Sequence, residues 1–130
     1  MTMDTNRLLG IHAGSLSLHG KRLELLSQNI ANVETPGYKA KSIDFAAAMR
    51  ALEAQAASGS ESRAGMSPNA DISATMQPVL RTQTQPSLDG NSVDLGREQA
   101  EFAEAALRYR ASLGFVESRL RGMLTAITGE

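Results

Sequence analysis

The chain has 130 residues, with no cysteine and no tryptophan, and its 13 basic and 14 acidic residues give a formal net charge of −1. Without thiols it can form no disulfide, no thiolate metal site and no cysteine nucleophile. The even charge balance argues against a nucleic-acid binder, which needs a concentrated basic surface. The length indicates one domain, and an apolar fraction of 42% with only 4% aromatic residues favours closely packed helices over a sheet sandwich.

Residues 1–34 are predicted to form an N-terminal unit with a long helix over about residues 5–33. Seam residues recur at alternating steps of three and four, which is the heptad spacing of a coiled coil. They are Leu9, His12, Leu16, His19, Leu23, Leu26, Ile30 and Val33. A second apolar flank indicates that the helix has neighbours on more than one side. Because residues 8–33 are amphipathic and interrupted by charges, we expect neither a secretory signal peptide nor a transmembrane helix.

His12 and His19 are the only histidines and lie one heptad apart. A helix separates them by about 10 Å along its axis, which is too far for the pair to chelate one metal ion unaided. We interpret them as polar seam residues that set register or partner choice. No catalytic, metal or cofactor-binding residue is predicted, because no nucleophile–base or paired-carboxylate arrangement stands out.

Residues 35–54 are predicted to form a turn followed by a short helix. Thr35 precedes a proline and is therefore pushed out of the helical region. Pro36 and Gly37 fit the central pair of a type II turn, because proline fixes φ and glycine accepts a positive φ. The apolar run that follows predicts a short helix over residues 43–54.

Residues 55–92 are predicted to be a flexible or partly β middle segment. It contains Pro68, Pro78 and Pro86, which are three of the four prolines, and it has no helical period. Residues 76–84 could form a short strand, and residues 88–91 have the composition of a turn.

Residues 93–130 are predicted to form the second long helix, over residues 95–128. Asp94 suits the N-cap and Gly129 the C-cap. The seam again follows heptad spacing, through Phe102, Ala106, Tyr109, Leu113, Val116, Leu120, Met123 and Ile127. The fold class is therefore mainly α, with the two terminal helices pairing as a coiled coil. Apolar flanks remain beyond that pairing, so we expect the helices also to pack against other chains.

The end of the first helix carries a specific motif, Asn29-Ile30-Ala31-Asn32-Val33-Glu34-Thr35-Pro36-Gly37-Tyr38-Lys39. It resembles the signature of the bacterial flagellar basal-body rod protein family, carried here by Asn29, Ala31, Asn32, Thr35, Pro36, Gly37 and Tyr38. The segments around residues 43–45, 85–94, 108–113 and 122–124 fit proximal rod members of this family. Residues 55–80 contribute nothing firm to the resemblance.

The resemblance implies a non-enzymatic structural subunit of the proximal rod of the flagellar basal body, on the periplasmic side of the inner membrane. It would leave the cell through the flagellar type III apparatus without a cleaved leader, polymerise through its terminal helices and be needed for motility. Its partners would be further copies of itself, other proximal rod proteins, the rod-base adaptor protein and the export gate.

Phe45 and Met49 fit the phenylalanine-x-x-x-hydrophobic pattern by which such subunits are recognised at that gate. The signature residues Asn29, Asn32, Thr35 and Tyr38 would fix the turn against neighbouring subunits. An alternative function that does not involve the flagellum is that of a soluble coiled-coil adaptor that forms a closed homo-oligomer.

Overall fold

The computed structural model describes residue 9 and residues 11–57, 76–82 and 87–129. Within these ranges the chain forms helices α1 (Ile11–Ala31), α2 (Phe45–Ala57) and α3 (Leu95–Thr128), and strands β1 (Lys41–Ser42) and β2 (Val79–Leu80). The mainly α class with a partly β middle segment is confirmed. The start of the predicted N-terminal helix, most of the middle segment and residues 83–86 lie outside the described residues.

The bounds of α3 agree with its predicted caps. The Asp94 backbone is extended, and its side chain accepts a hydrogen bond from the Arg97 N–H at 3.2 Å. Gly129 has a φ of 75°, and its N–H donates to the Thr125 carbonyl at 2.8 Å. Both caps satisfy backbone groups that a helix end leaves without partners. Local chemistry alone therefore sets the start and the end of this helix.

The other two helices begin or end a few residues from the predicted positions. α1 stops at Ala31, because the Val33 N–H donates to Ile30 and the chain tightens into a turn. α2 begins at Phe45 rather than residue 43, because the Asp44 carboxylate accepts from the Ala47 N–H at 2.9 Å and acts as the N-cap.

α1 and α3 lie antiparallel. Asn29, near the end of α1, bonds to Glu98 in the first turn of α3, while the ring of His12 at the start of α1 lies 5.9 Å from that of Phe115. α2 packs across the first half of α1, with a small apolar core of Leu18, Ala48 and Leu52. The hydrophobic cluster therefore joins α1 to the short crossing helix.

The face that α3 turns toward α1 is rotated from the predicted seam. The buried residues of α3 are Glu98, Ala105 and Val116, and those of α1 are Leu18, His19, Leu25, Leu26 and Asn29. Of the seam residues, His19, Leu26 and Val116 are buried. The half-buried ones are Leu9, His12, Leu16, Leu23, Ile30, Val33, Ala106, Tyr109 and Met123. Phe102, Leu113, Leu120 and Ile127 are 36 to 81% exposed. The polar pair Asn29–Glu98 occupies the contact instead. The four exposed seam residues form an apolar face of α3 that the chain does not cover, and we call it the open face.

In the part of the chain that the structure describes, no helix combines the length and the apolar character needed to cross a membrane.

Candidate assembly site

The signature segment, residues 29–39, ends α1 and makes a tight turn. Gly37 has a φ of +73°, and the Tyr38 N–H donates to the Thr35 carbonyl at 3.2 Å. This geometry matches the predicted turn, in which glycine supplies the positive φ after proline. A side chain at position 37 would be strained even though the space around it is open.

A second turn, at residues 87–90, stacks on the first. Its Gly90 also has a positive φ, of +76°, and donates its N–H to the Ser87 carbonyl. The Gly37 N–H donates to the Asp89 carbonyl at 2.9 Å, and a Cβ on Gly90 would lie 3.7 Å from the Gly37 Cα. The two turns are thus in backbone contact, and glycine at both positions permits the positive φ that each turn requires.

Asn91 joins the second turn to the end of α1. Its side chain is buried, and its Nδ2 donates to the carbonyls of Asn32, Val33 and Thr35 at 2.8 to 3.0 Å. Its Oδ1 accepts the Val93 N–H at 2.8 Å. These carbonyls belong to the turn that follows α1, and a residue far along the chain satisfies them. Asn91 therefore caps the turn that leads from α1 to β1.

The segment that follows the turn, residues 38–40, is hydrogen-bonded on both sides. Ser92 donates its N–H to the Tyr38 carbonyl at 3.0 Å, and its hydroxyl accepts the Ala40 N–H at 2.7 Å. On the other edge, the Arg81 N–H donates to the Ala40 carbonyl at 2.8 Å, where β1 pairs antiparallel with β2. These contacts fix the path from the turn into α2.

Asn29 is the centre of the site. It is fully buried, and its Nδ2 donates to the Lys41 carbonyl at 2.8 Å and to a Glu98 carboxylate oxygen at 3.0 Å. Its Oδ1 accepts the Lys41 N–H at 3.0 Å and the Tyr38 hydroxyl at 3.3 Å. All four hydrogen-bonding positions of the amide are used. Because the amide binds both backbone groups of Lys41, it pairs with β1 as a neighbouring strand would.

Glu98 continues this network to the middle segment. Its side chain is buried to 1% exposure, and its second carboxylate oxygen accepts from the Arg81 guanidinium at 2.5 Å. Arg81 also donates to Glu101 at 2.9 Å, and so does Arg97. A buried carboxylate is tolerated only when it is paired and hydrogen-bonded in this way. The cluster joins α1, β2 and α3 at one point.

Two pKa shifts follow from this packing. Burial raises the pKa of the Tyr38 hydroxyl, and the nearby Glu98 carboxylate raises it further. Burial opposes the charged form of Glu101, but the hydrogen bonds and positive charges of Arg97 and Arg81 outweigh it and lower its pKa. Tyr38 therefore stays a hydrogen-bond donor, and Glu101 an acceptor, at neutral pH.

The signature residues thus act mainly within the subunit. Asn29 was expected to contact neighbouring subunits, but it is enclosed by its own chain, because the bonds to Glu98 and Lys41 satisfy it there. Thr35 and Asn32 bond to each other at 3.1 Å, and Tyr38 reaches back to Asn29. Ala31 and Pro36 remain exposed.

Phe45 and Met49 lie together at the start of α2. The Phe45 ring lies 4.8 Å from the ring of His19, and the Arg22 guanidinium stands over it at 5.6 Å. Met49 packs against the Leu18 cluster. Both side chains are therefore engaged in the folded chain.

Arg81, Asn91 and Glu98 are important residues that the sequence reasoning missed. Their partners lie between 17 and 69 positions away, so no local period reveals them. The turn composition around residues 88–91 was the one available signal, and it indicated a turn without a partner.

The polar side chains of this site bond to one another within the chain and leave few groups free to bind a substrate. Its carboxylates and guanidinium groups are paired, and within the described ranges no group of three His, Asp or Glu side chains is placed to hold a metal ion. The end of α1 and the turn after it, which are bonded to Glu98 and Asn91, are called the clamped end. A clamped end beside a long helix with an open apolar face is typical of a helical structural subunit.

Comparison with known proteins agrees with that class. Residues 9–39 match the family described as flagella basal body rod protein. The chain is 44% identical over 133 aligned positions to the flagellar basal body rod protein FlgB of Cereibacter sphaeroides, which covers 94% of each chain. It is 38% identical to FlgB of Aeromonas hydrophila, covering 100% of this chain and 99% of the other, and 37% identical to FlgB of Salmonella typhimurium, covering 88% of each.

The chain belongs to the FlgB family of flagellar basal body rod proteins. It is accordingly a structural subunit of the rod and not an enzyme.

Proposed function

We propose that this rod subunit polymerises through its terminal helices, is exported by the flagellar type III system, and is needed for motility. The observation that carries the polymerisation step is the open face of α3. Leu113, Leu120, Leu124 and Ile127 lie on that face and are 37 to 81% exposed. Large apolar surfaces of this kind mark contacts with other proteins.

The partners we propose are further copies of the chain, other proximal rod proteins and the rod-base adaptor protein, on the periplasmic side of the inner membrane. A subunit in an open array needs two different contact faces. The open face of α3 and the partly exposed outer flank of α1 can supply them. The competing proposal, a closed homo-oligomer, would need the same apolar face to be self-complementary.

Substitution on the open face tests polymerisation. Leu124→Asp places a charge where we expect a neighbouring subunit, so incorporation into isolated basal bodies and swimming in soft agar should both be lost. Ser118→Asp is the matched control, because Ser118 is also exposed on α3 but lies on the opposite side of the helix. Full motility of the Leu124→Asp strain, or a discrete closed oligomer of the purified chain, would contradict the proposal.

Export is proposed to involve Phe45 and Met49. Since both are engaged in the folded chain, a gate that reads them must meet the chain before α1 and α2 pack. Folding and recognition would then compete for the same side chains, and a rod subunit would be exported in an unfolded form.

Phe45→Ala tests this step when compared with Leu18→Ala. Both variants weaken the same hydrophobic cluster, by roughly 2–5 kcal/mol each, but only the first alters the proposed recognition pair. We expect Phe45→Ala to accumulate in the cytoplasm while Leu18→Ala is secreted. Normal secretion of Phe45→Ala would remove the gate proposal and leave the rod proposal standing.

A further inference from the structure

A cationic groove lies beside the clamped end of the molecule. It has a volume of about 380 Å³ and is enclosed by α1, β1, the residue after β2, and the start of α3. Its floor is apolar, formed by Leu25, Leu26, Ile43 and Phe45. A groove of this size falls within the range that holds a small group or a few side chains.

The charges around the groove do not balance. Arg22, Lys41, Arg81 and Arg97 line it, and the carboxylates near them are Glu101, Glu98 and Asp94. One positive charge is therefore left over. Among the described residues no carboxylate lies within ion-pair distance of Lys41, whose side chain is half-buried. The groove is suited to a carboxylate flanked by apolar side chains.

The open face of α3 presents a segment of that composition. Leu113, Leu120 and Leu124 lie on one side of the helix and are 37, 43 and 61% exposed. Glu117 lies between them at the same helical spacing, and within the described part of the chain its carboxylate has no ion pair. It is the one acidic residue in the second half of α3. Groove and segment are complementary in charge and in apolar character.

The two features cannot meet within one subunit. Lys41 is bonded to Asn29 at the level of Glu98, and Glu117 lies about 30 Å farther along α3 at about 1.5 Å per residue. A contact between them must therefore join two copies that are displaced along the helix axis. When the two copies are related by a displacement along the helix axis rather than by a two-fold axis, such a contact can repeat from copy to copy in an open array.

We propose that the groove at Lys41 of one subunit receives Glu117, with the leucines beside it, from the α3 helix of a second copy. The proposal rests on polymerisation of the chain and names the contact through which it occurs. Paired charges across an interface suppress wrong partners and fix register, and the leucines provide the apolar area on the groove floor.

Cross-linking in assembled rods tests the contact, because the chain has no cysteine of its own. The paired variant Ser42→Cys/Leu120→Cys leaves Lys41 and Glu117 in place, and treatment of isolated basal bodies with a short bismaleimide should give a product of two copies. Ser42→Cys/Ser118→Cys is the control, since Ser118 faces away from the leucines. Basal bodies that contain the variant but yield no two-copy product would overturn the proposal. Absence of the unsubstituted chain from basal bodies would instead overturn polymerisation itself.

Charge exchange tests the ion pair separately. Lys41→Glu and Glu117→Lys should each reduce incorporation on the order of tenfold, and the double variant should recover most of it. Glu53→Lys, an exposed change of the same sign on α2, should have no effect. Equal losses in the single and double variants, with no recovery, would contradict the pairing.

Discussion

The two ends of the α1–α3 pair differ in how completely the chain satisfies itself. At the end near residue 98, a buried amide, a buried carboxylate and two stacked turns bond almost every polar group. Toward residue 124, α3 exposes leucines, a phenylalanine and an isoleucine. The first region satisfies most of its polar groups within one subunit, apart from Lys41 in the groove beside it, and the second exposes apolar side chains that other subunits can cover.

The contrast explains why the family signature falls where it does. The sequence predicts that the motif mediates contacts between subunits, yet its first residue, Asn29, is enclosed by its own chain. It fixes the angle at which the chain leaves α1 and returns to α3. A rod subunit with a rigid corner presents its long helix to neighbours in one defined orientation, which an open array needs in every copy.

The largest effect is expected where the clamped end depends on a buried charge. Glu98→Ala leaves Arg81 and Asn29 without their shared partner, so the free energy of unfolding should fall by about 3–5 kcal/mol. Glu104→Ala breaks a pair with Arg108 whose side chains are half exposed, and should cost at most about 1 kcal/mol. Urea denaturation of the purified chain measures both. Similar costs for the two variants would mean that the clamped end is no more self-contained than the open face.

A smaller effect is expected from the cap that Asn91 supplies. Asn91→Ala removes the donor to three carbonyls and the acceptor of the Val93 N–H, and should cost about 1–3 kcal/mol. Exposed Gln99→Ala is the control and should change stability little. Urea denaturation again provides the comparison, and an unchanged midpoint for Asn91→Ala would show that water satisfies the carbonyls of the turn after α1 equally well.

Glycine substitutions compare the packed α1–α2 contact with the exposed surface of α3. A Cβ at Gly114 on α3 meets no atom within 4 Å, so Gly114→Ala should stabilise the purified chain by roughly 0.5–1 kcal/mol. A Cβ at Gly14 would lie 2.5 Å from a Leu52 methyl, so Gly14→Ala must displace that side chain and should gain less or lose stability. Destabilisation by Gly114→Ala in thermal unfolding would show that α3 is packed there.

The smallest effect is expected from pH. Burial lowers the pKa of His19, and the Arg108 and Arg22 guanidinium groups lower it further. The unfolded chain therefore takes up a proton near pH 6.5 before the folded chain does, and stability should fall as the pH drops below that value. The buried Nδ1 of His19 has no hydrogen-bond partner that could hold the charge.

His19→Gln checks the assignment. Its urea midpoint should change less between about pH 8 and pH 5.5 than that of the unsubstituted chain. An equal change in the two proteins would show that a group other than His19 causes the pH dependence.

Local chemistry made much of the fold predictable. Asp94 and Gly129 bound α3 through caps that involve their own neighbours, and Pro36-Gly37 fixes a turn by backbone preference. The rotation of α3 was not predictable from its heptads, because Glu98 displaces an apolar seam by bonding to Asn29, 69 positions away. The apolar period of a helix indicates which residues it could bury, but in α3 long-range polar pairing determines which residues are buried. For the same reason Arg81 and Asn91 escaped notice.

Cysteine labelling measures the contrast between the two regions most directly. Leu124→Cys should react rapidly with a maleimide in the purified chain, where Leu124 is 61% exposed, and slowly in isolated basal bodies. Ala105→Cys, at a position with no exposed surface in the single chain, should react slowly in both. Equal, rapid labelling of Leu124→Cys in the purified chain and in basal bodies would contradict the account, because the open face of α3 would then remain uncovered in the rod.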